Sequence, residues 1–347
     1  DGLAADLTHI ESCIESLGPL LQRPCLVVGK STVPVGTANR LSALLAERAP
    51  VRDGAELAWN PEFLREGHAL EDTLNPDRLV FGVRSTSAEA RLRSVYASII
   101  EAGTPVVVTD LATAELVKVA ANAFLATKVS FINAIAEVCE ATGADVNLLA
   151  DALGYDSRIG RRFLNAGLGF GGGCLPKDIR AFMARAGELG VPEALTFLRE
   201  VDAINMRRRT RVVEITRELV GGSLIGRRIG VLGVAFKPDS DDVRDSPALN
   251  VSGQLQLQGA SVRVYDPRAN DTAARLFPTL DYADSAFDAC KSADIVLHLT
   301  EWREFRDLDP RDLADVVSER TIVDARNCLD ASKWRAAGWL YRGLGRS

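Results

Sequence analysis

Apolar residues Leu3, Leu7, Ile10, Ile14 and Leu17 recur at helical spacing up to Pro19, and the unbroken run Cys25-Leu26-Val27-Val28 reads as a short buried strand. Further on, the pattern predicts a helix over Ala38 to Glu47, strands at Glu56 to Trp59 and Leu79 to Val83, a helix over Ala88 to Ile100 and a strand at Pro105 to Val108. Strands alternating with helices imply a parallel sheet with helices on its faces. From Leu111 to Thr142 there is neither Pro nor Gly, and Ala, Leu, Val and Glu abound, so one long helix is expected. Helical patterns resume after Pro176 and again from Pro192 to Val220, where Gly221-Gly222 ends them. A second α/β unit then opens with the strand Arg228 to Gly233 and a helix over Pro247 to Leu257, followed by strands at Val262 to Pro267, Ile295 to Leu299 and Thr321 to Asp324. The expected fold is α/β: two Rossmann-like, doubly wound units over 1–110 and 221–347, joined by a largely helical region over 111–220 with a long central helix.

Composition narrows the function classes. At 347 residues, 47% hydrophobic and 25% charged, the chain is long enough for two or more filled cores. Forty-one basic against 47 acidic residues leave a net charge of −6, and no basic stripe marks a nucleic-acid partner. The longest basic run, Arg207-Arg208-Arg209, is expected to be a solvated helix face. The six cysteines are scattered without CxxC spacing, which argues against a zinc site or a disulfide framework. Nothing resembles a signal peptide and no unbroken apolar run of about 18 residues occurs, so a reduced, cytoplasmic setting away from membranes is expected.

The densest chemical signal is Gly169-Phe170-Gly171-Gly172-Gly173-Cys174-Leu175-Pro176-Lys177-Asp178. The glycines let backbone approach a ligand closely, and Pro176 suits the first turn of a helix whose positive end, with Lys177, would favour a thiolate at Cys174. The alternative is an inert buried cysteine beside a flexible turn. On the long helix, Lys118 and Asn122 share a face, with Asn133 three turns further; among apolar neighbours they either serve a polar ligand or form an exposed stripe. Two strand-end segments, Ser31-Thr32-Val33-Pro34-Val35-Gly36-Thr37 and Asn60-Pro61-Glu62-Phe63-Leu64-Arg65-Glu66-Gly67, lie where open α/β sheets place ligands, although turn chemistry alone explains such residues too.

Together with NPDR at 75–78, ELVKVAAN at 115–122 and GVAFKPDSDDVRDSP at 233–247, these motifs resemble the UDP-glucose/GDP-mannose dehydrogenases, NAD-dependent four-electron oxidases of nucleotide sugars. The resemblance runs over the whole chain and is strongest to the UDP-glucose branch; the GDP-mannose and UDP-N-acetylhexosamine branches, or a redox-inactive sugar-nucleotide-binding fragment, are the alternatives. It implies Cys174 as nucleophile, Lys118, Asn122 and Asp178 around the reacting carbon, Glu62 as an acid/base and Thr32 as organiser of the catalytic water. NAD would meet Thr32, Glu66, Lys177 and Arg244. UDP-glucose would meet Glu62, Phe63, Leu64, Lys118, Asn122, the segment from Phe163 through Phe170 to Gly171, Phe236 and Lys237, with Arg158 lent to a neighbouring subunit of a homodimer or higher oligomer. No metal is implied. Two departures stand out: Gly173 where many members carry Ser, expected to be tolerated, and no strand with GxGxxG before Asp1 to Leu17, so the chain is expected to begin inside the NAD-binding domain and to bind NAD poorly alone.

Overall fold

The computed structural model describes residues 5–346, so Leu3 of the first helical pattern lies outside the described residues. In chain order the elements are α1 (Thr8–Leu17), β1 (Cys25–Gly29), α2 (Thr37–Arg48), β2 (Ala55–Trp59), α3 (Ala69–Leu74), β3 (Leu79–Gly82), α4 (Thr86–Val95), α5 (Ala97–Glu101), β4 (Val106–Thr109) and α6 (Leu111–Thr142). Next come α7 (Val146–Gly154), α8 (Leu175–Glu188), α9 (Phe197–Leu219), β5 (Arg228–Leu232), α10 (Pro247–Leu257), β6 (Ser261–Tyr265), α11 (Asn270–Leu276) and β7 (Asp281–Tyr282). The chain ends through α12 (Ala286–Cys290), β8 (Ile295–His298), α13 (Arg303–Arg306), α14 (Pro310–Ala314), β9 (Thr321–Asp324), α15 (Ala331–Ala336) and β10 (Leu340–Gly343). The helix expected over Ala88 to Ile100 is two helices, broken at Tyr96, and the one expected from Pro192 opens as a short 3-10 turn before α9.

Contacts divide the chain into two units, 1–123 with 177–196, and 124–176 with 197–347. In the first, the sheet order is β1-β2-β3-β4. Leu57 and Trp59 of β2 join Leu41, Leu45 and Leu111 on one face, while Ala58 joins Leu79, Phe81 and Leu92 on the other, as the two-residue period of a strand requires. The expectation of a purely parallel sheet needs one correction: β1 with β2 and β3 with β4 are parallel, but β2 meets β3 antiparallel through Trp59 and Gly82. The link between β2 and β3, residues 60–78, is long enough for a parallel crossover, but the six-residue α3 is its one helix and β3 returns against β2 instead of crossing over.

In the second unit all five strand pairings are parallel, in the order β10-β9-β8-β5-β6-β7, the doubly wound arrangement. Strand β8 is buried throughout and reads as a continuous apolar run until His298. At its end His298 Nδ1 lies 2.8 Å from Asp324 Oδ1 on β9, and Tyr341 of β10 donates to Asp324 Oδ2 at 2.8 Å. Backbone N–H groups of Arg326 and Leu329 also donate to Asp324, so its carboxylate is saturated and laces three strand ends together. Cys328 stands close to this pair, where both Asp324 oxygens are already engaged by other donors.

Helix α6 is, by length and composition, apolar enough to cross a bilayer, with a mean hydropathy of 1.4 over its richest window; 44% of that window is buried inside the protein. Its buried face carries Glu115, Lys118, Asn122 and Asn133.

Candidate active site

Glu115, Lys118 and Asn122 are three and four residues apart, hence on one side of α6, and are only 1%, 8% and 8% exposed. Asn122 donates through Nδ2 to Asp178 Oδ2 on α8 at 2.7 Å. Lys118 Nζ stands 3.7 Å from Glu62 Oε1, while Glu62 Oε2 accepts from the Leu64 N–H at 2.7 Å. Leu64 itself points to solvent. The Phe63 ring has two cations within range of its face, Arg78 at 3.9 Å and Lys118 at 5.5 Å from the centroid. Burial pushes the Asp178 carboxyl above its usual range; the Asn122 bond, Lys177 at 3.8 Å and Lys118 pull it back, and Glu62 adds to the rise. A covered carboxyl held toward its protonated form beside an amide and an ammonium is suited to exchanging a proton.

Thr32 is half-buried in the turn after β1, and exposed Glu66 lies in the loop after β2. Lys30 ties the two segments, donating to Asn60 Oδ1 at 2.9 Å, and the Tyr96 hydroxyl donates to the same oxygen at 2.6 Å. The carboxyl ends of neighbouring parallel strands thus carry both loops side by side, the edge at which an α/β unit takes a dinucleotide. The Thr32 hydroxyl, the Glu66 carboxylate and the backbone of both loops supply polar groups of the kind a dinucleotide hydrogen-bonds.

In the second unit Cys174 is free and exposed, one residue before α8, which sets aside the inert buried cysteine. The segment leading to it is braced. Asn205 of α9 clamps both sides of the buried Phe170 backbone, accepting from its N–H at 2.8 Å and donating to its C=O at 2.9 Å. Arg326 donates to the carbonyls of Gly169 at 3.1 Å and Phe236 at 3.2 Å. Gly171 passes so close to Asp245 that an added Cβ would lie 2.3 Å from its carbonyl oxygen. At Gly173 a Cβ would meet the Arg244 guanidinium carbon at 2.5 Å, so a serine there requires Arg244 to shift. Arg244 is itself forked onto Asp242. Lys237 lies over the Phe236 ring at 5.5 Å, Phe163 is exposed, and Arg158, 87% exposed, forks onto Asp156 of its own loop.

Residues 1–100 match the NAD binding domain of the UDP-glucose/GDP-mannose dehydrogenase family, 112–207 its central domain and 230–331 its UDP binding domain. A UDP-glucose 6-dehydrogenase of Bacillus subtilis is 40% identical over 99% of this chain and 73% of its own length, and one of Pseudomonas aeruginosa 39% identical over 99% and 77%. The chain belongs to the UDP-glucose/GDP-mannose dehydrogenase family. Among solved structures, a UDP-glucose dehydrogenase from Pyrobaculum islandicum superposes with a TM-score of 0.89 at 36% identity, covering 99% of this chain and 77% of that one. A UDP-D-ManNAc dehydrogenase from Pyrococcus horikoshii gives 0.85 at 25% identity, covering 100% and 78%.

For this dehydrogenase family member, three features of the sequence carry roles that the pattern did not assign. Asn133 does not join Lys118 and Asn122; its Oδ1 accepts from the Gly167 N–H at 2.8 Å in the second unit. The basic run is not one solvated face either, because successive helix residues point about 100° apart. Arg208 and Arg209 are buried, the former against Glu140 and the latter 2.8 Å from Asp245, and only Arg207 faces solvent. Asn205 was legible in principle: it occupies a core position of α9 in line with Leu198, Val201 and Val212, where a polar residue calls for a partner.

Proposed function

We propose that this chain oxidises UDP-glucose to UDP-glucuronate with two NAD per sugar, through a thioester on Cys174. The observation that carries this reading is an exposed thiol at the entrance to the helix whose first turn holds Asp178 hydrogen-bonded to Asn122. Identities of 39–41% to proteins named UDP-glucose 6-dehydrogenase, against 25% to the UDP-D-ManNAc dehydrogenase, favour the glucose substrate over the N-acetylhexosamine alternative.

NAD, when bound, accepts the hydride that leaves C6 in each of the two oxidations. Thr32, Glu66, Lys177 and Arg244 are the residues proposed to hold it. Glu62 or Asp178 takes the hydroxyl proton of the alcohol as the first C–H bond breaks. The Cys174 thiolate then adds to the aldehyde carbon, and Lys118 and Asn122 donate to the oxygen that becomes negative, as oxyanion donors do. Loss of the second hydride from the resulting thiohemiacetal oxyanion leaves the thioester. Water oriented by Thr32 attacks that carbon as Glu62 or Asp178 takes its proton, the C–S bond breaks, and the carboxylate and the thiol are released with the second proton on sulfur. Phe163, Phe170, Gly171, Phe236 and Lys237 are proposed to bind the sugar nucleotide, together with Glu62, Phe63 and Leu64.

The family correspondences support dividing these roles among 1–110 for NAD, 111–220 for the central helices and 221–347 for UDP. A homodimer through α6 is proposed as well, supported by Phe124, Phe131 and Val138, three exposed apolar residues seven apart on one helix face. Arg158 would then serve the partner's site, leaving its bond to Asp156. A reduced, cytoplasmic setting suits six free cysteines, of which Cys13 and Cys174 are exposed.

Cys174→Ser should abolish steady-state acid formation, by about 1,000-fold or more, while leaving UDP-glucose binding by calorimetry within about threefold. Full turnover by this variant would rule out the thioester. A higher kcat/KM for GDP-mannose or UDP-N-acetylmannosamine than for UDP-glucose would overturn the substrate.

A further inference from the structure

Glu115 is the most deeply covered ionisable side chain of the first unit's polar face, and the mechanism above gives it no part. From α6 it reaches the turn that follows β1. Its Oε2 accepts from the Gly36 N–H at 2.7 Å and its Oε1 from the Ala38 N–H at 2.6 Å. These are orphan donors at the start of α2, a helix that gets no side-chain cap from its own Gly36, whose φ of 94° few other residues adopt without strain. From the other side Arg185 of α8 donates through Nε to the Val35 carbonyl at 2.9 Å. A Ser or Asp at the N-cap would satisfy α2 without burying a distant carboxylate. Burial in fact pushes the Glu115 carboxyl up, against the pull of the two N–H bonds and of Arg185. What a local cap cannot do is tie the turn to another helix.

The spacing gives that tie its meaning. Glu115 and Asn122 are seven residues apart on α6, and Asp178 and Arg185 are seven apart on α8. Asn122 bonds Asp178, while Glu115 and Arg185 grip the same turn, so the two helices cross antiparallel with two rungs roughly 10 Å apart, two helical turns. One rung holds the groups proposed to act on the substrate. We propose that the other, Glu115 with Arg185, is a positioning pair that locks the Ser31–Thr37 turn, and Thr32 within it, to the helices carrying Lys118, Asn122 and Asp178. The proposal rests on the reading of Thr32 as organiser of the hydrolytic water. Loosening the turn then slows thioester hydrolysis more than the hydride steps, which depend on Cys174 and the first rung.

Stopped-flow NADH formation and hydrogen exchange of the peptide over residues 31–38 test this in Glu115→Gln, which keeps the volume but turns an amide donor toward one of the two N–H groups. Exchange of that peptide should accelerate about tenfold, and the ratio of the first-turnover rate to the steady-state rate should rise about tenfold over wild type. Arg185→Gln, which frees the Val35 carbonyl and leaves the cap intact, should give the same split to a smaller extent and serves if Glu115→Gln does not fold. Thr32→Ala separates the layers. If it leaves hydrolysis unchanged while Glu115→Gln still shows the split, the role of Thr32 is wrong but the lock stands, acting through another group of the turn. Faster exchange with first-turnover and steady-state rates falling equally, or with neither changing, overturns the positioning role.

Discussion

Asp178 and Asp324 are equally hidden, at 4% and 0% exposure, yet their surroundings push them in opposite directions. At Asp178 burial dominates and raises the carboxyl above its usual range, because a single hydrogen bond from Asn122 and two nearby lysines do not fully offset it. At Asp324 burial also works to raise it, but His298, Leu329 and Tyr341 together outweigh burial and hold the group below its usual range. Saturation is the difference. A buried carboxylate with every lone pair occupied is a girder between strands, whereas one with spare capacity is poised to take or give a proton. Asp266 repeats the saturated pattern in the second unit, accepting from the N–H groups of Val234, Ala235, Arg268 and Ala269 and from the Trp302 indole.

Of these carboxylates, the largest expected effect comes from changing Asp178, the group proposed to exchange a proton. Asp178→Asn should cut turnover about 100-fold or more, the usual contribution of an acid/base group. It should not lower Tm. A carboxyl raised in the folded state contributes stability only below its unfolded value of 3.8, and that contribution is lost as pH rises through the folded value, so at pH 7 ionised Asp178 is a cost that the amide removes. A clear drop in Tm at pH 7 would make Asp178 structural and collapse the contrast.

Asp324→Asn should do the reverse. One oxygen becomes a donor facing donors, at a cost of about 3 kcal/mol, seen as a Tm lower by roughly 6–10 °C, while kcat per folded molecule stays within about twofold. The sign with pH follows from the depressed carboxyl. Its stabilisation is full above the unfolded value of 3.8 and is lost as pH falls through the lower folded value, so wild type and variant should converge in acid. Thermal melts from pH 7 down to pH 3 measure the gap, and a constant difference would show that ionisation of Asp324 is not what stabilises the hub.

The smallest effect sharpens the idea of saturation. Trp302→Phe takes one donor from Asp266 and leaves four backbone donors in place, so the loss should be about 1 kcal/mol, the net worth of one hydrogen bond, read from denaturant midpoints at unchanged m. A loss near that of Asp324→Asn would mean that the indole was indispensable and that counting donors misjudges the site.

The periodicities of two and of 3.6 residues determined by themselves the helix over Leu111–Thr142, most strands of both sheets, and the glycine-rich entry to Cys174, because local burial and backbone freedom are written in neighbouring residues. Motif order likewise pointed to the family before any coordinate. The antiparallel step from β2 to β3 was not legible, since pairing direction depends on how the long loop over 60–78 is seated rather than on which residues are apolar. Nor was the fate of the polar residues on apolar faces. Glu115, Asn133, Asn205 and Arg208 each look like an exception in the pattern, and each finds its partner 34 to 79 residues away. Sequence shows that such a side chain needs partners. Only tertiary structure decides how many it receives, and that number separates Asp178 from Asp324: desolvation acts on both buried carboxylates, whereas the donors that offset it arrive from elements the chain brings together only on folding.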